Sequence, residues 1–85
     1  MERKKYLSDI INEGLGIMKQ DTVTKEDWES WIYYSVETLK YITVENRNFI
    51  LNYLKVKFNA EKAKCSLNDK MSMCLRYLIE IKDVI

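Results

Sequence analysis

The sequence has no proline, no histidine and no glycine after Gly16. Sheet proteins need a turn every few positions and take it from glycine and proline. Their absence from residues 17–85 points to helices. Without histidine there is no Ser-His-Asp or Cys-His arrangement and no His-containing zinc or di-iron site. No Gly-rich phosphate loop is present either. The chain is therefore expected to be no enzyme and to need no cofactor or metal.

Cysteine is also scarce. Cys65 and Cys74 are the only two, whereas a disulfide-stapled secreted scaffold carries four or more. If they share a helix they stand about 13 Å apart along its axis, too far to bridge. Reduced thiols imply a cytoplasmic protein. The start, Met1 to Lys5, is charged but no apolar signal core follows. No apolar run approaches the ~20 residues needed to cross a bilayer, so no membrane partner is expected. Neither charge sign dominates: 14 basic and 13 acidic residues leave a net +1. A dedicated nucleic-acid domain carries a clear basic excess, so nucleic acid is disfavoured as a partner.

What is present is apolar surface. The 85 residues suffice for one domain, and 47% of them are hydrophobic. So short a chain buries only about 60–65% of its unfolded surface, which leaves apolar area for a partner. Lys, Ile, Asn, Tyr, Met and Phe, which AT-rich codons encode, number 38, against 7 for Gly, Ala, Arg and Pro. That is the composition of an AT-rich gene, as in low-GC bacteria, their phages and their mobile elements.

The apolar spacing predicts an all-α fold, a compact antiparallel bundle of about four helices over roughly residues 2–19, 25–42, 44–64 and 67–84. In the first, Leu7, Ile10, Ile11, Leu15 and Met18 share a face, with Gly14 on it for close helix approach. In the second, Thr24 and Asp27 form a capping box, and Val23 and Trp28 a hydrophobic staple. Its buried face reads Trp28, Trp31, Ile32, Ser35, Val36, Leu39, Ile42. Thr43 is expected to cap the third helix, with Glu45 in its first turn.

That third helix has two apolar stripes: Phe49, Tyr53, Val56, Ala60 and Ala63 on one, Ile50, Leu51, Leu54 and Phe58 on the other. A helix apolar on two sides is central in its bundle or covered by another chain. Ser66 and Asp69 resemble a further cap. Leu67, Met71, Cys74, Leu78, Ile81 and Ile85 then form a seam. With no glycine or proline at 59–69, one continuous helix through both segments is the alternative.

Two candidate sites emerge. Tyr33, Tyr34, Glu37 and Tyr41 point away from the buried face of the second helix, and exposed tyrosines on a rigid helix are the material of binding hot spots. Met73, Tyr77 and Val84 make a lesser stripe on the last helix. Charge varies by segment: −3 over 21–43 and +3 over 44–65, where Lys55, Lys57, Lys62 and Lys64 concentrate. Phosphate binding needs such charges on one face, and Lys57 and Lys64 point away from Lys55 and Lys62. The expected function is a non-enzymatic protein-protein interaction module, a small phage or mobile-element protein that inhibits or adapts a larger partner. The alternative is a small DNA-associated regulator using the Lys55–Lys64 region. A homodimer through the third or fourth helix is compatible with both.

Overall fold

Thr24 opens the best-marked helix of the chain. Its hydroxyl accepts from the Asp27 amide at 3.0 Å, while the Asp27 carboxylate accepts from the Thr24 amide at 3.3 Å. Val23 and Trp28 are buried together on either side of this box. In a computed structural model that describes residues 2–85, four helices follow one another: α1 (Arg3–Met18), α2 (Lys25–Ile42), α3 (Asn48–Lys62) and α4 (Leu67–Lys82).

Contacts between distant residues establish an up-down-up-down course. Arg3, at the start of α1, reaches Glu45, just past the end of α2, at 2.6 Å. Ser35 of α2 meets Tyr53 of α3 at 2.8 Å. Tyr77, late in α4, donates to the carbonyl of Phe49, early in α3. Each of α1 and α3 packs on both α2 and α4, while α1 and α3 stand diagonally opposite and do not meet. The expected antiparallel four-helix bundle is the observed architecture.

The core is built from the predicted faces. Leu7 and Ile10 of α1, Trp31, Leu39 and Ile42 of α2, Tyr53 of α3 and Met71, Cys74 and Leu78 of α4 are fully buried. Gly14 allows α1 to lie against α2, for a Cβ there would fall 2.8 Å from Trp31 Cζ2. The Trp31 indole donates to the Ile10 carbonyl at 3.0 Å, so its buried N–H is satisfied. Lys70 reaches from α4 to donate to the carbonyls of Ala60 and Ala63, both at 2.7 Å. The Ala63 carbonyl is an orphan acceptor past the end of α3, the Ala60 carbonyl also accepts from the Ala63 amide at 3.2 Å, and the ammonium suits the negative end of the helix dipole.

Several expectations need correction. Thr43 does not cap α3; it is buried and closes α2, its hydroxyl donating to the Leu39 carbonyl at 2.6 Å, the back-bonding open to a threonine at that place. A turn follows, in which Glu45 pairs with Arg3, and α3 starts at Asn48 instead of 44. It ends at Lys62, not 64, because Ala63 turns extended and Ser66 caps α4 by accepting from the Asp69 amide at 3.1 Å. Helices α3 and α4 are therefore separate. Leu15 is exposed on the α4 side of α1. The second stripe of α3 is not central: Ile50 is buried, but Leu51, Leu54 and Phe58 are exposed. No described residue has a positive φ, so the three loops turn with ordinary L-residue backbone.

Candidate functional site

The tyrosines of α2 stand outside a core that closes without them. Tyr33, Tyr34 and Tyr41 are 69%, 40% and 61% exposed. They share the outer half of the helix but not one direction. Trp31 looks at α1, and at about 100° per residue Tyr34 and Tyr41 fall on that side. There Tyr41 meets Tyr6 of α1 edge-on, ring centroids 6.3 Å apart at 85°. Tyr33, the most exposed of the three, lies further round the outer surface. Glu37 lies between them, tied to Lys40 at 3.2 Å. The structure thus joins Tyr41 with Tyr6, a residue the α2 sequence alone could not supply. Tyr6 lies just before the buried Leu7, and only the packing of α1 on α2 brings it to Tyr41.

The lysines of α3 diverge. Lys57 pairs with Glu61 at 3.2 Å, and Lys62 places its ammonium over the Phe58 ring, 4.5 Å from its centroid. Lys55 is exposed on the helix and Lys64 beyond its end. Two of the four are thus engaged within their own helix, and they do not form a single basic face.

The lesser stripe on α4 is divided. Tyr77 is structural: it is half-buried, stacks on Tyr53 with centroids 5.7 Å apart, and donates to Phe49. Met73 and Val84 remain exposed. Between α1 and α4 a shallow groove of about 350 Å³ is lined by Leu15, Met18, Leu75 and Ile79, with Arg76 and Glu80 at its rim.

The buried polar groups form one chain. The single Ser35 proton goes to the Ile32 carbonyl at 2.9 Å, so Tyr53 donates to Ser35. The Cys74 thiol lies on the other side of the Tyr53 hydroxyl. Burial raises the Tyr53 hydroxyl above its ordinary value and pushes the Cys74 thiol up to about 12. Both stay protonated at neutral pH, which suits a packed interior rather than a nucleophile. Cys65 is exposed in the α3–α4 loop. Among the described residues no three carboxylates or thiols converge on a point where a metal ion could sit. Among the described residues no helix is long and apolar enough to cross a membrane.

Comparison with family models, with curated proteins and with solved structures gives no match.

Proposed function

We propose that this chain is a non-enzymatic protein-interaction module, a small cytoplasmic protein of phage or mobile-element origin that inhibits or adapts a larger partner. One observation carries the reading: the exposed group of Tyr6, Tyr34 and Tyr41 on the α1–α2 side, beside a core that needs none of it. Tyrosines give large contact area at modest entropy cost, and they are held here on rigid helices. The segment charge of −3 suits a basic partner surface and would speed encounter more than tighten the complex. The AT-rich coding signature supports the proposed origin.

The test is a Tyr34→Ala/Tyr41→Ala double variant, compared with wild type in pull-downs from the native host or its infected cells. Loss of a partner with only a small fall in melting temperature, from the lost Tyr41–Tyr6 ring contact, is the expected result. A stable variant that keeps every partner would remove this face from consideration. Salt-dependent binding of wild type to random duplex DNA would instead favour the DNA-associated alternative through Lys55, Lys57, Lys62 and Lys64.

A further inference from the structure

The outer face of α1 and α2 is laid out in rungs. Tyr6 and Tyr41 touch across the two helices. One turn towards the start of α1, Arg3 meets Glu45 at 2.6 Å. Seven residues the other way along each antiparallel helix bring Glu13 level with Tyr34. Between these rungs lie Asp9, three residues after Tyr6, and Glu37, four before Tyr41, within about 2 Å of one height. At about 100° per residue these six side chains of the inner rungs point outwards together, and all six are exposed.

This face is acidic in a chain of net charge +1. Lys5 stands at its α1 rim, and Lys40 reaches Glu37 from the neighbouring face at 3.2 Å, a weak exposed pair. Among the described residues Asp9 and Glu13 make no ion pair. They stand at i and i+4, where like charges weaken a helix. Folding therefore does not account for them.

We propose that the partner of this module presents arginine side chains, received by Asp9, Glu13 and Glu37 between the rings of Tyr6, Tyr41 and Tyr34. The inference rests on the reading of the chain as an interaction module and names the partner's chemistry at that same face. A guanidinium lies flat on an aromatic ring while its edge donates to a carboxylate through two N–H groups. The face offers ring and carboxylate at adjacent heights. The chain's own Arg3 already fills such a place at the end of the ladder, on Glu45 and one turn from the Tyr6–Tyr41 pair. A lysine answers the charge but cannot stack, and a phosphate backbone is repelled.

Titration of the full chain into fluorescein-labelled nona-arginine and nona-lysine, followed by anisotropy, tests this. Nona-arginine is expected to bind at least about three-fold more tightly, and both peptides should weaken with salt. Asp9→Asn/Glu13→Gln should lower the affinity for nona-arginine about ten-fold, while the melting temperature holds or rises as their repulsion is relieved. Tyr34→Phe keeps the ring and should bind as wild type; Tyr34→Ala should lose about three-fold. Glu80→Gln/Asp83→Asn, an equal change of charge at the end of α4, should leave binding unmoved. Equal affinity for the two peptides overturns the proposal. So does full affinity in Asp9→Asn/Glu13→Gln, or an equal loss in the α4 control. If nona-arginine does not bind while Tyr34→Ala/Tyr41→Ala sheds a partner, the arginine chemistry is wrong and the interaction module stands.

Discussion

Gly14 of α1 lies against the indole of Trp31 of α2 so closely that a single methyl group would not fit between them. An added Cβ would stand 2.8 and 2.9 Å from two ring atoms and 3.0 Å from Leu75 Cδ2. The ring is held in place by its hydrogen bond to Ile10. Gly14→Ala is therefore expected to destabilise by about 1–3 kcal/mol through overpacking, although alanine is the better helix former. At Gly16 nothing lies within 4 Å, and Gly16→Ala should stabilise by roughly 0.5–1 kcal/mol. Urea melts of the two variants should move in opposite directions; if both stabilise, the close approach of α1 and α2 is wrong.

Thr24→Ala removes one half of the reciprocal cap and should lower stability by about 0.5–2 kcal/mol. Trp31→Ala empties the centre of a small core and should cost about 3–5 kcal/mol. Calorimetry ranks them, and an unmoved transition in Trp31→Ala would show that the wrong face of α2 has been placed inside.

Ser35 and Tyr53 should respond unequally to losing their hydroxyls. Tyr53→Phe leaves Ser35 bonded to the Ile32 carbonyl and should cost no more than about 1 kcal/mol. Ser35→Ala leaves the buried Tyr53 hydroxyl only the weak Cys74 sulfur as acceptor and should cost about 1–3 kcal/mol. The double variant should resemble Tyr53→Phe alone. Additive losses in a double-mutant cycle would contradict the proposed direction of the bond.

Alkaline pH should unfold the protein in a defined window. The Cys74 thiol, ordinarily near 9.0, is pushed up to about 12 by burial, so the folded state holds a proton that the unfolded state releases. Stability from this group is complete below pH 9.0 and is lost as pH rises to about 12. The slope is about 1.4 kcal/mol per pH unit, with the raised Tyr53 hydroxyl adding in the same direction. Cys74→Ala should weaken the decline above pH 9.0. At neutral pH a thiol reagent should label exposed Cys65 quickly and reach buried Cys74 only on unfolding; rapid double labelling would show the interior to be open.

Legibility along the chain followed the range of the signals. The start of α2 could be read because cap, box and staple lie within six consecutive residues, Val23 to Trp28. The start of α3 could not, because Thr43 has two local options, capping the next helix or back-bonding to its own, and burial favours the second. Lys70 as the cap of α3 depends on a neighbouring helix, as does the half-burial of Tyr77. The same holds at the surface: periodicity marked Tyr34 and Tyr41 as outward-facing, but only packing of α1 against α2 adds Tyr6. The pattern also showed that α3 is apolar on two sides, without saying which stripe the bundle would leave uncovered.

The absence of positive φ angles bears on how such a protein changes over generations. A turn in the left-handed region favours glycine, and a fold that uses such turns is tied to glycine there. Here the loops impose no such requirement, and of the two glycines only Gly14 is held, by packing. What a lineage must preserve is a rhythm of apolar positions and a few caps, each of which several residue types can supply. The bundle therefore constrains the kind of residue at each core position more than its identity.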